Sequence, residues 1–356
     1  MAVFVIAEAG VNHNRDLELA KSLVDTAAAA GADAIKFQTF RAEAVATAGA
    51  GKAEYQKRTT DADASQLDLL RQLELPREWH GELKERAKTQ GMVFLSTAFD
   101  IKSLGFLVGE VGIDRIKIPS GELTNGPLLW AAGRSGLPAI VSTGMAHMDE
   151  IADALAVMAS AYLGDEIPEK ASFDAAFGSS GGRQILREKV TLLHCTTEYP
   201  APFADIDLRA MKSMSEVFDL ETGLSDHSEG ITVPIAAAAM GASVIEKHFT
   251  MDRKLPGPDH LASLEPAELR DMIAAIRTTE TAVGMGEKKP KGSETANREL
   301  VRRSLVALHP IAKGESFTDE NLGMLRPGTG ISPMRYWEFI GTPAARAFDA
   351  GEAIQE

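Results

Sequence analysis

Two lysines interrupt short apolar runs of this sequence, and a lysine inside a buried strand needs an anionic partner or ligand. Lys117 lies in the segment IKIPSGE, at Ile116–Glu122, which ends in a serine and a glutamate. Lys36 lies in AIKFQTF, at Ala34–Phe40, and Gln38 follows on the same face of the predicted strand. Two such lysines indicate a small, strongly anionic substrate.

Two histidines form a second group with chemical potential, His227 in SDHSEG and His248 in EKHFT. They end neighbouring predicted strands, so both imidazoles can converge on one ion, with water or a substrate oxygen in the remaining positions. A closed structural zinc site needs four ligands, which the single Cys195 cannot complete, so the pair fits an open Mn²⁺ or Mg²⁺ site better. The alternative is a pair of neutral, hydrogen-bonded histidines, and the spacing alone leaves both readings open.

The elements that must position these residues alternate between short β-branched or apolar runs and longer helical patterns, which is typical of βα units in a parallel sheet. Eight such strands predict an α/β fold, a (β/α)₈ barrel. The predicted strands are Val3–Ala9, Ala34–Phe40, Met92–Ala98, Arg115–Ser120, Ala139–Gly144, Val190–Thr196, Leu220–Ser225 and Ser243–Thr250. The first helix is capped by Asp16 and closed by Gly31, and further helices are predicted at Arg77–Gln90, Asp149–Leu163, Glu229–Met240 and Pro266–Val283.

Working residues of such a barrel lie at the carboxyl ends of its strands, and all eight predicted ends are polar. In chain order they carry Glu8, Lys36 with Gln38, Ser96 with Thr97, Lys117 with Ser120 and Glu122, Ser142 with Thr143, Thr197 with Tyr199, Ser225 with His227, and Glu246 with His248. Isolated polar residues at strand ends usually bond to loops, but eight of eight exceed what loop solvation needs. We therefore expect one active site at the mouth of the barrel.

The predicted domains are a barrel at 1–284, a polar, lysine-rich linker at 285–299 and a small separate domain at 300–356. Two insertions interrupt the alternation, Arg41–Leu75 and Gly164–Glu188. Neither contains the GK[ST] sequence that a phosphate-cradling loop needs, so we expect flexible loops there.

Composition excludes several classes of partner. The formal net charge is -14 and no block of lysine or arginine is long enough to follow a phosphate backbone, so we expect neither nucleic acid nor membrane as a partner. The longest apolar stretch, Ile231–Ile245, is too short to span a bilayer, and the N-terminus lacks the basic region of a signal peptide. A single cysteine fits a reducing compartment, so we expect a cytoplasmic protein.

The motifs taken together resemble the sialic acid (N-acetylneuraminate) synthase family over nearly the whole chain. They are IAEAGVNHN, IKFQTF, IKIPSGE, STGM, LLHCTTEYP, LSDHSEG, EKHFTMDRKLPGPDH and RPGTGI, in this order. The resemblance implies that the small domain is an antifreeze-like (SAF) domain of the β-clip type. It also implies a condensation in which the enol carbon of phosphoenolpyruvate attacks the aldehyde of an open-chain N-acetylmannosamine-type sugar. Water then adds, phosphate leaves by C–O cleavage, and the product is a nine-carbon 2-keto sugar acid.

The resemblance also implies roles for particular residues. The residues matched to phosphoenolpyruvate binding are Lys36, Thr97, Lys117, Ser120, Ser142 and Ser225, and those matched to sugar contacts are Gln38, Glu122, Tyr199, Asp259 and Arg326. His227 and His248 match the ligands of a divalent metal, Mn²⁺ or Mg²⁺, that polarises the aldehyde. Glu8 matches the acid–base glutamate, although a simple pairing with Lys36 is the alternative. Arg326 matches an arginine that reaches the active site of a partner subunit, which implies a homodimer.

One departure bears on the sugar. The chain has CTTEYP, with Thr197 and Glu198, where N-acetylneuraminate synthases often have CTNxYP. Together with AEYQKRTT at Ala53–Thr60, this resembles the legionaminate branch, whose sugar is a 2,4-diacetamido-2,4,6-trideoxy compound. The sequence leaves open whether the product is N-acetylneuraminate or N,N'-diacetyllegionaminate.

Two other classes of function stay open at this point. A barrel lysine also suits a Schiff-base pyruvate aldolase, with Lys117 as a covalent nucleophile that needs no metal. A non-catalytic barrel with a sugar-binding module at Leu300–Glu356 is the other alternative, but it leaves the eight polar strand ends unexplained.

Overall fold

The computed structural model describes residues 2–60, 65–284 and 286–355. The chain forms two compact units, Met1–Gly284 and Met285–Glu356. The first unit contains a closed barrel of eight parallel strands in chain order, which confirms the predicted (β/α)₈ fold. The strands are β1 (Phe4–Gly10), β2 (Ala34–Thr39), β3 (Val93–Ala98), β4 (Ile116–Ile118), β5 (Ala139–Ser142), β6 (Val190–Cys195), β7 (Glu221–Asp226) and β8 (Val244–His248).

Helices follow the strands around the barrel. They are α1 (Leu17–Ala30), α2 (Ala42–Val45), α3 (Glu54–Thr59), α4 (Gln66–Leu73), α5 (His80–Thr89), α6 (Ile101–Phe106), α7 (Gly126–Arg134), α8 (Met148–Leu163), α9 (Lys170–Gly178), α10 (Ser180–Lys189), α11 (Arg209–Phe218), α12 (Thr232–Ala239) and α13 (Pro266–Val283). The Asp16 carboxylate accepts hydrogen bonds from the first turn of α1, and Gly31 ends that helix at a φ of 84°. Both predicted caps of α1 are therefore confirmed. None of the helices in the described part of the chain is long and apolar enough to cross a membrane.

Side chains alternate between the outer and inner faces of each strand, which divides the apolar residues of the barrel into two clusters. The inner cluster forms the base of the site. Residues such as Ile35 and Phe37 of β2 belong to the large cluster that packs against the helices. A second cluster fills the barrel interior and consists of Ile6, Ala34, Leu95, Ile140, Leu193 and Val244, with Phe4 packed against it. Because side chains on one face of a strand recur every two residues, the next interior layer begins two positions further along each strand.

Close packing in the barrel wall requires a glycine at position 223 of β7. A Cβ atom at this position would lie 2.2 Å from the carbonyl oxygen of Val244 and 2.9 Å from the Leu193 side chain. Any side chain at this point would therefore push β7 away from its neighbours in the barrel wall.

The prediction of flexible loops for both insertions is wrong in the residues that the structure describes. The first insertion contains α2, α3 and α4, although its residues 61–64 lie outside the described part of the chain. In α4 the buried residues are Leu67, Leu69 and Leu73, and the Ser65 side chain caps the helix by accepting a hydrogen bond from the backbone of Asp68. The second insertion contains α9 and α10, which pack through buried Ala176 and Leu186. In both segments, a few apolar residues at helical spacing are buried by packing against the rest of the unit.

The second unit has its own small core. Its strands β9 (Ser304–Ala307) and β10 (Leu322–Leu325) form an antiparallel pair. Its helices are α14 (Gly292–Val301), which occupies part of the predicted linker, and the short α15 (Tyr336–Phe339). The core consists of Leu305, Ala307, Ile311, Phe317, Leu322, Ala344, Phe348 and Ile354.

A buried histidine in the first unit predicts a loss of stability in acid. His80 is fully buried, and its imidazole hydrogen-bonds to the Thr39 hydroxyl at 2.7 Å. Burial lowers the pKa of His80 to about 4, below its ordinary value of 6.5. In the unfolded chain His80 binds a proton near pH 6.5, whereas in the folded chain it does so only near pH 4. The contribution of His80 to the free energy of unfolding is therefore complete above pH 6.5 and is lost as the pH falls toward 4. We expect a loss on the order of 2–3 kcal/mol from this residue.

Urea unfolding between pH 7.5 and pH 4 measures this effect. His80→Gln should be less stable at pH 7.5 but should show a shallower fall in stability toward pH 4. Replacement of the exposed His309 by alanine is the control and should leave the slope unchanged. An unchanged slope in His80→Gln would show that His80 does not cause the acid sensitivity.

Candidate active site

A polar layer lies directly above the apolar floor of the barrel. Each of the six interior apolar residues is followed two positions later by a polar side chain or a thiol: Glu8, Lys36, Thr97, Ser142, Cys195 and Glu246. β4 and β7 contribute Lys117 and Ser225 to this layer, and all eight residues are buried and line one cavity of about 250 Å³. Alternation in eight short strands therefore brings the predicted strand-end groups together.

The two lysines occupy the centre of this layer. The Lys36 ammonium lies 2.7 Å from the Glu8 carboxylate and donates a hydrogen bond of 2.9 Å to the Thr97 hydroxyl. The Lys117 ammonium donates a hydrogen bond of 2.8 Å to the Ser142 hydroxyl. The predicted pairing of Glu8 with Lys36 is therefore present. This pairing does not exclude a role for Glu8 as the acid–base residue.

Glu246 connects the two lysines; it was named among the polar strand ends, but no role was predicted for it. Its carboxylate lies 3.7 Å from the Lys36 nitrogen and 3.4 Å from that of Lys117, and it accepts a hydrogen bond of 2.9 Å from the Ser225 hydroxyl. The signal that would have indicated a role is its position two residues before His248, because residues at i and i+2 of a strand share a face.

The two carboxylates titrate in opposite directions. Burial raises the pKa of Glu8 to about 7, and Glu246 nearby adds to this effect against the opposing Lys36. Burial also opposes ionisation of Glu246, but Lys117 and Lys36 outweigh it and hold the pKa of Glu246 below its usual range. Carboxyl groups whose pKa values are pushed apart are typical of acid–base sites, because one can hold a proton while the other stays charged.

The pKa values of the two lysines also shift, and the charges of Glu8 and Glu246 affect both pKa values. Burial lowers the pKa of Lys117, and the nearby Lys36 adds to this effect. For Lys36, the charges of Glu246 and Glu8 outweigh burial and raise the pKa. Lys36 therefore stays a firm cation, whereas Lys117 is held charged less strongly.

His227 and His248 lie side by side in the cavity wall, with ring centres 5.5 Å apart. The Nδ1 atom of His227 hydrogen-bonds to the Thr196 carbonyl at 2.8 Å, which leaves Nε2 with its lone pair. The Nδ1 atom of His248 is buried with no hydrogen-bond partner in the described structure, and the Asp259 carboxylate is 3.9 Å away. A neutral imidazole with an unshared buried lone pair fits a metal ligand.

Charge effects act in opposite directions on the two histidines. Burial and the neighbouring His227 lower the pKa of His248 well below its ordinary value, which keeps it in the neutral form that binds metals. Burial also opposes protonation of His227, but contact with Cys195 outweighs it and raises the pKa of His227. No cluster of three or more His, Cys, Asp or Glu residues arranged for a metal ion is found in the described ranges.

A buried ion pair stands behind the two histidines. Lys247 is fully buried on the outer face of β8, and its ammonium lies 2.6 Å from the Asp226 carboxylate of β7. Lys247 also donates to the Ser228 carbonyl, while Asp226 accepts from the Ser228 backbone N–H at 3.0 Å. Because Asp226 precedes His227 and Lys247 precedes His248, this pair joins β7 and β8 next to the two histidines.

The remaining predicted residues divide into those that reach the cavity and those that do not. Gln38, Ser120, Tyr199 and Asp259 line it, and the Tyr199 ring stacks on His227 with centres 4.0 Å apart. Burial raises the pKa of Asp259 to about 6.

Two predicted residues are not part of this lining. Glu122 is half-buried outside it and accepts a hydrogen bond of 2.7 Å from Asn125, although the family resemblance matches this residue to sugar contacts. Arg326 belongs to the second unit, where it is exposed and donates a hydrogen bond of 2.9 Å to the Val301 carbonyl.

The first insertion supplies the outer wall of the cavity. Val45, Gln56, Gln66, Leu69, Leu70 and Leu73 come from this segment, and Phe99 follows β3. The cavity therefore has a charged inner end between the lysines and an outer end with many apolar side chains. This wall was not predicted, because the insertion was expected to be a flexible loop.

Comparison with known proteins adds independent evidence. Residues 23–288 match the NeuB family and residues 302–356 match the SAF domain. The chain is 47% identical over 352 residues to the N,N'-diacetyllegionaminic acid synthase of Campylobacter jejuni, covering 99% of this chain and 98% of the relative. It is 44% identical over 354 residues to the enzyme of the same name from Legionella pneumophila, covering 99% and 94%.

A solved structure agrees with these matches. The N-acetylneuraminic acid synthetase of Leptospira borgpetersenii is 33% identical, with a TM-score of 0.66 over 83% of this chain and 90% of that one. The match of residues 302–356 to the SAF domain confirms the predicted small domain.

Proposed function

Because this chain belongs to the NeuB family, we propose that the cavity at the mouth of its barrel is the active site of a synthase. The protein is a nonulosonic acid synthase, which condenses phosphoenolpyruvate with an N-acetylmannosamine-type sugar into a nine-carbon 2-keto sugar acid and releases phosphate. The observation that carries the site assignment is the pair of buried lysines at the inner end of the cavity.

The lysine layer suits phosphoenolpyruvate, which carries a carboxylate and a phosphate on a small carbon frame. Lys36 and Lys117 would donate to these anionic groups, and the hydroxyls of Thr97, Ser142 and Ser225 would orient them. The Ser120 hydroxyl lies at the rim and accepts a hydrogen bond of 3.0 Å from the Gly144 backbone. A Cβ at Gly144 would lie 2.8 Å from that hydroxyl oxygen, so glycine permits the close approach.

Replacement of Lys117 by alanine is expected to raise the KM for phosphoenolpyruvate by about 10- to 150-fold, since a charged hydrogen bond worth roughly 1.5–3 kcal/mol is lost on this substrate alone. The KM for the sugar should change little. Initial rates with each substrate varied in turn measure both constants, and the exposed Lys102→Ala variant is the control. Equal effects on both constants would indicate a structural role for Lys117.

His227 and His248 would hold the divalent metal, Mn²⁺ or Mg²⁺, that the family resemblance implies. When bound, such an ion acts as a Lewis acid that polarises the sugar aldehyde. The chain's own contribution is to join β7 and β8 next to the two imidazoles through the Asp226–Lys247 pair and to keep His248 neutral.

Glu8 is our candidate for the proton transfer. Its carboxyl lies next to Lys36 and accepts a hydrogen bond of 3.3 Å from the Gln38 amide, and its raised pKa lets it hold or release a proton near neutral pH. In the condensation, the new alkoxide gains a proton and the water that adds to the cation loses one. A single carboxyl beside the aldehyde can serve both transfers.

We propose that the sugar is the 2,4-diacetamido-2,4,6-trideoxy compound and the product N,N'-diacetyllegionaminate. Identities of 44% and 47% to two N,N'-diacetyllegionaminic acid synthases support this choice over N-acetylmannosamine. We place the reaction in the cytoplasm, which the single cysteine supports.

The test of the function is phosphate release from phosphoenolpyruvate with Mn²⁺ and each candidate sugar. Release that depends on metal and sugar together is expected, and it should be faster with the diacetamido sugar. Sodium borohydride in a parallel reaction tests the Schiff-base alternative. A covalent adduct on Lys117, formed without metal or phosphate release, would support the aldolase and contradict the synthase.

We also propose a homodimer in which Arg326 completes the sugar site of the partner subunit. The exposure of this cation is compatible with such a contact, and the resemblance of RPGTGI supports it. Arg326→Ala should therefore lose sugar turnover while it still binds phosphoenolpyruvate.

Mixing an inactive Glu8→Ala subunit with an inactive Arg326→Ala subunit should restore activity, because each heterodimer would contain one complete site. Subunit exchange must be followed independently, for example by mass spectrometry of labelled chains. Exchange without any recovery of activity would show that Arg326 does not serve a partner.

A further inference from the structure

One polar atom in the outer wall of the cavity has no partner. Gln66, the first residue of α4, lines the cavity, and its side-chain Oε1 is buried without a hydrogen bond in the described structure. Most other residues of the wall are apolar, among them Leu69 and Leu73, and Gln56 is polar. A buried carbonyl without a donor is unfavourable, so a ligand that brings an N–H to this point would bind more tightly.

Gln66 is held in place by its helix. The Ser65 side chain caps α4, and Leu69 and Leu73 pack with Val11 and Phe40 in a small apolar cluster. The amide therefore stands on an anchored element, which is the arrangement that discriminates between ligands by hydrogen bonding.

The positions of the charged and apolar groups in the cavity determine which part of a bound sugar lies beside Gln66. The inner end holds the lysines and the two histidines, where phosphoenolpyruvate and the sugar aldehyde must meet. The rest of the sugar chain then extends toward the outer end, where Gln66, Leu69 and Leu73 lie. An acetamido group carries an N–H for the carbonyl of Gln66 and a methyl group for the leucines. The hydroxyl that N-acetylmannosamine carries at the corresponding carbon has no methyl group to cover them.

We propose that Gln66, with Leu69 and Leu73, is a specificity-determining subsite for an acetamido group remote from the sugar aldehyde. The N–H of that group donates to the Gln66 carbonyl, and its methyl group packs on the leucines. This inference rests on the proposed function and extends it, because it assigns the choice of a diacetamido sugar to one side chain of the insertion.

The test compares kcat/KM for 2,4-diacetamido-2,4,6-trideoxymannose and for N-acetylmannosamine at saturating phosphoenolpyruvate and Mn²⁺. Gln66→Met keeps the length of the side chain and removes the carbonyl. We expect kcat/KM for the diacetamido sugar to fall by about 10-fold or more, with a change below about 2-fold for N-acetylmannosamine. Gln66→Glu retains an acceptor oxygen and should stay closer to the wild-type preference.

Gln72→Met is the matched control, because Gln72 lies on the same helix but is exposed and outside the cavity lining. It should leave both rates unchanged. Equal losses for both sugars in Gln66→Met, or an unchanged ratio, would overturn the assignment while the synthase function stands. A wild-type enzyme that releases phosphate with neither sugar would overturn the proposed function, and the subsite with it.

Discussion

Replacement of Glu8 by glutamine is expected to lower kcat by about 10²- to 10⁴-fold, the usual contribution of a positioned general acid or base. Glutamine keeps the size of the side chain and its contacts with Gln38 but cannot exchange a proton. The KM for phosphoenolpyruvate should stay within about threefold of wild type, because the lysines that would bind this anion remain. Steady-state kinetics with both substrates measure the two effects separately.

Two comparisons sharpen this experiment. Glu110→Gln, at an exposed position, is the control for loss of a carboxylate and should leave kcat unchanged. Melting temperatures must show that Glu8→Gln is folded, since Lys36 loses a charged partner at 2.7 Å. If kcat is preserved and only the stability or the phosphoenolpyruvate KM changes, then Glu8 merely neutralises Lys36 and the proton transfer lies elsewhere.

Replacement of His248 by alanine is expected to abolish activity, with a loss of at least about 10³-fold, and to remove Mn²⁺ binding. The physical reason is that one of the two protein ligands proposed above for the ion is lost. Calorimetric titration of the protein with Mn²⁺ reads the metal site independently of turnover. His227→Ala should behave in the same way, and both variants should keep the circular dichroism spectrum of the folded barrel.

The exposed His309 provides the control, because His309→Ala removes an imidazole that is distant in the sequence from the site residues. Its Mn²⁺ titration and its rate should match those of the wild type. A His248→Ala enzyme that is active and still stimulated by Mn²⁺ would contradict the assignment of the ion to this pair and would favour the reading of two hydrogen-bonded histidines.

The barrel and most of its polar lining could be predicted from the sequence because both follow from the period-2 pattern of short strands. Once eight strands are found, closure of the barrel brings Glu8, Lys36, Lys117 and His248 to one mouth. The same pattern placed Glu246 on the face of His248, but it does not show which carboxylate lies between the two lysines. In the structure it is Glu246, whose carboxylate lies close to both Lys36 and Lys117.

The outer wall of the cavity was harder to predict because of the composition of the first insertion. The first insertion is rich in charged and small residues, so its few leucines do not give a strong helical pattern by themselves. Their order comes from packing against residues distant in the sequence, such as Val11 against Leu69 and Leu73. Gln66 could not be recognised as unusual either, because the lack of a hydrogen-bond partner is a property of the folded surroundings.

A crystal structure of the protein with phosphoenolpyruvate and Mn²⁺ tests the site assignment most directly. We predict that oxygens of phosphoenolpyruvate lie within about 3.2 Å of the ammonium groups of both Lys36 and Lys117. We also predict that the ion lies roughly 2.0–2.3 Å from one nitrogen each of His227 and His248. Phosphoenolpyruvate bound away from the two lysines, or Mn²⁺ held by other side chains, would contradict the assignment of this cavity as the active site.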